Sequence, residues 1–254
     1  YLFVTGSDSD SIVERLMKLK DNRAYTELYV SMIELDVAVS NALISVLRDR
    51  SRSWEGIYFA HCTGNVDVVI STALELGSVA KLSLLPSGHH IDDRCLFALA
   101  NGLRLNTSIK SLVLRVDLFQ ELSEALAEGL SANSSLEELS LILSTAETTA
   151  VETLARGIQK NSGLKALKLN RCSLEDGQVA ALIQALENHP SLRELIVQES
   201  SCRAKGIVAI SGLLQSDSKK PFKLDLSNQQ FQRNGMFGIP FLAPALPRIS
   251  PCDF

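Results

Sequence analysis

Four histidines and five cysteines are the side chains of this chain best suited to bind a metal ion or to act as nucleophiles. His89 and His90 precede Asp92 and Asp93, and divalent metals bind to such imidazoles and carboxylates. No CxxC or HExxH spacing, which would direct several ligands toward one ion, occurs in the sequence. The acidic pair instead opens an apolar stretch with helical spacing. We therefore expect Asp92 and Asp93 to lie at the positive N-terminus of a helix and no metal to be bound.

The cysteines are odd in number and show no close pairing, which is typical of reduced thiols rather than of a disulfide framework. Cys62, next to His61, and Cys172 each follow a short apolar run at the same distance, which predicts buried, inert thiols. Neither a glycine-rich phosphate loop nor a GxSxG elbow is present. The sequence therefore predicts a protein that is not an enzyme, has no cofactor and takes no small-molecule substrate.

The composition argues against several classes of partner. Hydrophobic residues make up 46% of the 254 residues, which is enough for a substantial core. The net charge is only −4, and no block of Lys or Arg indicates a nucleic-acid surface. The longest apolar run, at 207–214, is far too short to insert into a membrane as a spanning helix. With the unpaired cysteines, these features predict an intracellular, cytoplasmic protein.

One apolar phrase recurs along the chain at a nearly constant distance. LEELSL at 136–141 returns as LKALKL at 164–169 and as LRELIV at 192–197, 28 residues apart each time. Eight copies of the phrase begin at Tyr25, Trp54, Val79, Ile109, Leu136, Leu164, Leu192 and Pro221. Counted from each start as offset 0, offsets 3 and 5 carry a large apolar residue in all eight copies. Two residues apart on a strand share one face, so each copy predicts a short strand with these two side chains in the core.

A helical stretch follows each phrase. In 174–190 the residues Val179, Leu182, Ile183 and Leu186 form an i, i+3, i+4, i+7 stripe. The copy that begins at Trp54 spans only 25 residues, which predicts a shortened helix around 66–76. Each helix ends near an asparagine, which tolerates the left-handed conformation that ends helices; these are Asn106, Asn133, Asn161 and Asn188. One strand and one helix cannot bury their apolar sides alone, so parallel stacking of the units is expected, giving an α/β fold.

These residues resemble a known repeat family. The pattern L-x-x-L-x-L-x-x-N/C, carried by Leu164, Leu167, Leu169 and Cys172 and by Trp54, Ile57, Phe59 and Cys62, is similar to the long, ribonuclease-inhibitor-like leucine-rich repeat. The resemblance covers 2–229, although the Asn or Cys at offset 8 is often lost and Pro221 replaces an apolar residue. It implies a right-handed solenoid of about eight repeats of about 28 residues, with parallel strands on the concave face and helices on the convex face.

The ends of the chain differ from its middle. Residues 1–24 are interpreted as the second half of a further repeat, so that the solenoid occupies 1–229 and the intact protein is expected to extend beyond Tyr1. The segment 230–254 is rich in proline and in apolar residues, which argues against both a regular helix and an ordinary disordered tail. Two interpretations stay open: a cap over the last repeat, or a segment that docks on another protein or domain.

The side chains at offsets 2, 4 and 6 point away from the predicted core and form the surface available to a partner. Apolar residues collect on and beside it in the middle of the chain: Leu85, Pro86, Val113, Val116, Ile142 and Leu143. Such a patch usually marks a contact surface, although β-branched residues also suit strands whichever way they point. The predicted partner-binding residues are Tyr29, Tyr58, Leu85, Val113, Arg115, Ile142, Lys168 and Ile196.

The function expected from this surface is binding of another protein on the concave face. Three alternatives stay open from the resemblance alone, because a fold does not determine a function. They are a scaffold that activates a GTPase, the sensor part of a larger receptor, and a structural subunit of a large assembly.

Overall fold

A computed structural model describes residues 1–18, 24–49, 54–77, 79–86, 91–172, 174–187, 189–200, 203–215 and 223–225. Within these residues strands alternate with eight helices. The strands are β1 (Leu2–Val4), β2 (Glu27–Ser31), β3 (Glu34–Leu35), β4 (Gly56–Ala60), β5 (Thr63–Gly64), β6 (Lys81–Leu85), β7 (Ser111–Leu118), β8 (Glu138–Ala146), β9 (Ala166–Asn170), β10 (Glu194–Val197) and β11 (Lys223–Asp225). The helices are α1 (Ser9–Lys18), α2 (Val37–Leu47), α3 (Val66–Glu75), α4 (Asp93–Leu105), α5 (Gln120–Ala132), α6 (Thr148–Lys160), α7 (Asp176–Leu186) and α8 (Ala204–Gln215). The segment 230–254, for which a cap and a docking role were both predicted, lies outside the described residues.

Nine of these strands form one parallel sheet in the order β1-β2-β4-β6-β7-β8-β9-β10-β11, and β3 pairs separately with β5. The offset-3 residues lie opposite one another across the whole sheet: Leu28, Ile57, Leu82, Leu112, Leu139, Leu167, Leu195 and Leu224. This register confirms the phase of the repeat that the sequence predicted. The α/β class and the alternation of strand and helix are confirmed with it.

A single apolar core lies between the sheet and the helices. The offset-3 side chains are buried, as are the offset-5 side chains of the described residues and the helix residues Val179, Leu182, Ile183 and Leu186 that the periodicity predicted. Burial of one such aliphatic side chain stabilises the fold by roughly 1.5–3 kcal/mol, so the repeated pair carries much of the stability. The helix α3 has 10 residues, against 11 in α2 and α7 and 13 in α4, α5 and α6, so the predicted shortening in that repeat is slight.

The strands β7 and β8 run longer than their neighbours. In four other repeats the chain turns at or just past the end of the strand, at a residue with a positive φ, which is uncommon for residues other than glycine. These residues are Met32, His61, Arg171 and Glu199. In β7 and β8 the chain instead stays extended, and Val116 and Leu143 are 0% and 1% exposed. The prediction that these two residues belong to an exposed patch was wrong. Alternation along a longer strand places them on the core side.

The predicted asparagines bridge neighbouring repeats in extended conformations. Asn106, Asn133 and Asn161 have φ of −79°, −89° and −73°, so the expected left-handed helix ends were wrong. The Asn133 side chain instead accepts hydrogen bonds from the backbone N–H groups of Ser135 and Leu136 at 3.0 and 2.8 Å. Its amide group donates to the carbonyl oxygens of Leu103 and Asn106 at 2.6 and 2.9 Å. Each bridge therefore satisfies buried backbone groups of two consecutive turns.

A histidine takes this bridging place in the next repeat. Asn188, predicted to belong to the series, lies outside the described residues, while His189 follows Asn161 by 28 positions. Its Nδ1 accepts from the backbone N–H of Leu192 at 3.1 Å, and its Nε2 donates to the carbonyl oxygen of Ile158 at the same distance. Since Nδ1 must be unprotonated to accept, this arrangement requires the neutral imidazole. Burial lowers the pKa of His189, and the charge of Arg193 lowers it further.

Replacing Asn133 with Ala tests the structural value of one bridge. The change leaves buried donors and acceptors of two repeats without partners, each costing about 1–3 kcal/mol. We expect the free energy of unfolding, measured with urea, to fall by about 2–4 kcal/mol. The control is Asn101→Ala at an exposed position of α4, which should not lower stability, because alanine is the better helix former. Equal losses from the two substitutions would contradict the bridging role.

Replacing His189 with Asn should remove a pH dependence of stability. Because the folded-state pKa is lowered, the unfolded chain binds more protons than the folded one below its ordinary pKa near 6.5. The contribution of His189 to the free energy of unfolding is therefore fully present above about pH 6.5. It is lost as the pH falls below that value, by up to about 1.4 kcal/mol per pH unit. His189→Asn keeps the hydrogen bonds without a titrating group. Urea unfolding between pH 7.5 and 5 should show a smaller decline for the variant, and parallel curves would disprove the assignment.

Candidate binding face

The side chains at offsets 2, 4 and 6 of the strands lie on the face of the nine-stranded sheet that is turned away from the core, here called the open face. The eight predicted partner-binding residues all lie on it and are half-buried: Tyr29, Tyr58, Leu85, Val113, Arg115, Ile142, Lys168 and Ile196. The register brings Tyr29 beside Tyr58 and Arg115 beside Ile142. Ile196 lies farther along the sheet, between Lys168 and Asp225.

Aromatic rings cover the end of the open face formed by β1, β2 and β4. The rings of Tyr29 and Tyr58 are stacked with their centroids 4.2 Å apart and their planes 4° from parallel. Phe3 stacks on Tyr29 at 4.8 Å, and Tyr1 meets the Tyr29 ring edge-on at 5.7 Å. Phe3 and Tyr1 stay 59% and 73% exposed, respectively. The sequence predicted the two tyrosines but not Phe3, although Phe3 precedes the buried Val4 as Tyr29 precedes Val30.

A single carboxylate holds the two tyrosines in place. Glu27, which is 9% exposed, accepts hydrogen bonds from the hydroxyls of Tyr29 and Tyr58, each at 3.2 Å. Gly56 lies opposite Glu27 on the next strand, and a Cβ atom there would be 2.7 Å from the Tyr58 ring. The absence of a side chain at Gly56 therefore lets the Tyr58 ring lie back along its own strand and reach the carboxylate. Sequence reasoning missed both residues, although Glu27 and Gly56 share offset 2 in adjacent repeats.

The electrostatics of this aromatic end oppose ionisation of its hydroxyls. Burial raises the pKa of Tyr58, and the negative charge of Glu27 raises it further. The same causes raise the pKa of Tyr29. The Lys81 ammonium lies 4.0 Å from Glu27 and partly balances the carboxylate. The hydroxyls are therefore neutral donors at physiological pH and hold the rings in fixed orientations.

The opposite end of the open face carries ion pairs. Lys168 lies 3.1 Å from Glu138, and Lys223 lies 2.8 Å from Glu194. At the edge of the face, Glu137 is bridged by Lys110 at 3.3 Å and by Lys165 at 2.7 Å, and its pKa is lowered by these hydrogen bonds. These side chains are substantially exposed, so each pair adds little to stability. Charge at this end is largely neutralised within the protein.

The middle of the open face is apolar around one arginine. Arg115 lies opposite Ile142, and Leu85 comes directly after Leu84, the register partner of Leu114. The guanidinium side chain thus extends between two aliphatic side chains on the neighbouring strands, with Val113 two residues earlier on its own strand. No ion pair or hydrogen bond of Arg115 is found among the described residues. Val113 itself lies between the small residues Ser83 and Ser140.

The residues suited to metal binding or nucleophilic chemistry occupy structural positions where the chain is described. Asp92 caps α4 by accepting from the backbone N–H of Cys95 at 2.8 Å, as predicted, and Asp93 lies in the first turn. Cys172 is 1% exposed, and burial raises the pKa of its thiol to about 12. Cys62 is half-buried, and burial likewise raises its pKa. His89 and His90 lie outside the described residues.

An apolar cavity of about 300 Å³ lies between the ends of β4 and β6 and the start of α4. Its walls include Phe59, Ile70, Leu84 and the thiols of Cys62 and Cys95. Burial raises the pKa of the Cys95 thiol to about 12, so this thiol is protonated at neutral pH. The cavity therefore offers apolar volume without an activated nucleophile. In the part of the chain that the structure describes, no group of His, Cys, Asp and Glu is arranged to hold a metal ion.

Neither a scan of the chain against protein-family models nor a search of curated proteins gives a match. None of the helices in the described ranges combines the length and apolar character needed to cross a membrane.

Replacing Glu27 with Gln tests the electrostatic coupling at the aromatic end. Because the carboxylate charge raises the pKa of Tyr29 and Tyr58, its removal should move the high-pH part of the tyrosine ionisation curve, followed by absorbance at 295 nm, to lower pH. The pKa should stay above that of a free tyrosine, since burial is the larger cause. Glu194→Gln, whose register neighbours are Ala166 and Lys223, serves as the control and should leave the curve unchanged. Identical curves for both variants would show that Glu27 does not couple to the tyrosines.

Proposed function

We propose that the chain is a right-handed leucine-rich-repeat solenoid of the ribonuclease-inhibitor-like type, and that it binds another protein on the open face, which is the concave side of the arc. Strands in register at offset 3 and helices between them support this architecture. So do the bridges of Asn106, Asn133, Asn161 and His189, which recur once per repeat. The proposed interaction module needs no cofactor and no catalytic centre.

The observation that carries the functional proposal is the aromatic and apolar surface presented by a rigid sheet. Tyr29 and Tyr58 are fixed by stacking and by Glu27 before any partner arrives, so binding loses little side-chain entropy at these positions. Tyrosine is enriched among the residues that dominate protein interfaces, where truncation of one such residue costs about 2 kcal/mol or more. The exposed rings of Tyr1 and Phe3 extend the same surface.

The middle of the open face continues this surface toward the paired charges. Leu85, Val113 and Ile142 provide an apolar centre of three strands' width, half-buried in the free protein. Lys168 and Ile196 lie beyond it, next to ion pairs that set a polar border. An apolar centre bordered by charged side chains is the usual anatomy of a protein interface. The same anatomy makes a small-molecule site less suitable, because the face is a sheet surface rather than an enclosed pocket.

The double change Val113→Asp, Ile142→Asp should abolish partner binding while leaving the fold intact. Both side chains are half-buried on the open face, so carboxylates there remain hydrated in the free protein but oppose burial under a partner. Crosslinking pull-down from native extract is the measurement, with circular dichroism to check folding. A partner captured by wild type should be lost by the variant.

The matched control places two carboxylates on the helix side of the molecule. Val68 on α3 and Val208 on α8 are 45% and 55% exposed. Val68→Asp, Val208→Asp therefore adds the same charge without touching the open face and should retain the partner. Loss of the partner in the control alone would show that the interface lies on the helices and not on the open face. Unfolding of the open-face variant alone would show that the two side chains contribute to the core.

A further inference from the structure

The cations of the open face are neutralised within the protein with one exception. Four cations occupy offsets 2, 4 and 6 in the described residues: Lys81, Arg115, Lys168 and Lys223. The three lysines each lie within 4.0 Å of a carboxylate, at 4.0, 3.1 and 2.8 Å. Arg115 has no such partner in the described part of the chain. Among the described cations of this face, its charge is therefore the one available to a ligand.

The groups around Arg115 favour the binding of an anion by its guanidinium. Leu85 and Ile142 flank it on the two neighbouring strands, and aliphatic neighbours displace water from the stem of the side chain. Asp117 follows two residues later on the same face of β7, yet it forms no ion pair with Arg115 within 4.0 Å. One oxygen of the Asp117 carboxylate is inaccessible to water and has no hydrogen-bond donor. The guanidinium thus has no partner among the described residues and lies beside an apolar surface, where a charge-assisted bond to a ligand would be formed without breaking an existing ion pair.

We propose that Arg115 receives an aspartate or glutamate side chain of the partner protein, with apolar side chains on either side of that residue resting on Leu85, Val113 and Ile142. This inference rests on the proposed function of the open face. A guanidinium presents two parallel N–H donors that match the two oxygens of a carboxylate. An incoming cation or a wholly apolar segment would instead leave the arginine buried and unpaired, which costs several kcal/mol.

The two ends of the face explain why the anion is expected at the centre. The aromatic end carries the Glu27 carboxylate beside the Tyr58 ring, and its one cation among the described residues, Lys81, already lies beside Glu27. The lysines at the other end are paired with Glu138 and Glu194. A partner carboxylate placed at either end would compete with an existing intramolecular pair. At Arg115 it meets no such competition among the described residues.

A random library of displayed 12-residue peptides without cysteine provides the probe. Selection on the wild-type protein, with removal of peptides that also bind Val113→Asp, Ile142→Asp, isolates ligands of the open face. We expect the selected peptides to share one Asp or Glu flanked by Leu, Ile, Val or Phe. Affinity for one such synthetic peptide is then measured by fluorescence anisotropy with wild type, Arg115→Gln and the matched control Arg104→Gln, whose exposed side chain lies on α4 away from the open face.

Arg115→Gln should weaken binding at least 10-fold, corresponding to about 1.4 kcal/mol or more. Changing the acidic residue of the peptide to its amide should cause the same loss with wild type and little further loss with Arg115→Gln, because the two changes remove one bond. Arg104→Gln should stay within about threefold of wild type, because it removes the same kind of charge from the helix side of the molecule. Circular dichroism and urea unfolding check that both variants are folded.

The outcomes separate this inference from the function on which it rests. Peptides that depend on Val113 and Ile142 but bind Arg115→Gln equally well would overturn the carboxylate contact and leave the open-face interface standing. Peptides without a shared acidic residue would do the same. If no peptides are enriched on wild type over Val113→Asp, Ile142→Asp, the result would count against both the carboxylate contact and the open-face interface. Tighter binding by at least 10-fold when phosphoserine replaces the acidic residue would assign Arg115 to phosphopeptide recognition instead.

Discussion

The in-register pairing of parallel strands is the constraint on which the rest of this structure depends. Strands lie about 4.8 Å apart, so a side chain repeated at one offset meets its counterpart in the next repeat at a fixed distance. On one face this places Leu112 against Leu82 and Leu139 and closes the core. On the other face the same spacing matches the separation of stacked rings, and Tyr29 and Tyr58 are 4.2 Å apart as a result. Core and candidate interface are thus two consequences of one register.

Polar bridges make the stacking of repeats specific as well as favourable. Leucine packing alone tolerates small shifts, whereas the Asn161 amide must reach the carbonyl oxygens of Leu130 and Asn133 in the preceding turns. A shift of one residue would leave these buried groups without partners, which costs more than the packing would regain. His189 performs the same task with a ring that can also take up a proton. One bridge of the series therefore responds to pH where the amide bridges do not.

The sequence predicted the repeat and its strand phase because large apolar residues two apart are a direct record of a buried strand face. It failed where the information is not in the local pattern. Val116 and Leu143 were misplaced because nothing in the local sequence distinguishes a strand that ends in a turn at offset 7, as at Met32, from a strand that continues past offset 7. The Glu27 bridge was missed because it joins residues of two repeats and depends on the empty space at Gly56. Candidate residues could be placed on the correct face, but their partners could not be named.

The three parts of the open face differ in how much interaction each leaves unsatisfied. At the aromatic end the polar groups are paired, so Tyr29 and Tyr58 offer rigid apolar area but few free hydrogen bonds. At the opposite end Lys168 and Lys223 are paired with carboxylates, and a partner must compete with those pairs. Only the centre combines apolar area with a charge that lacks a partner in the described residues. Since a wrong ligand is rejected when it leaves a buried group unpaired, the arginine at the centre would provide the specificity of the proposed interface, and the aromatic surface would provide apolar contact area.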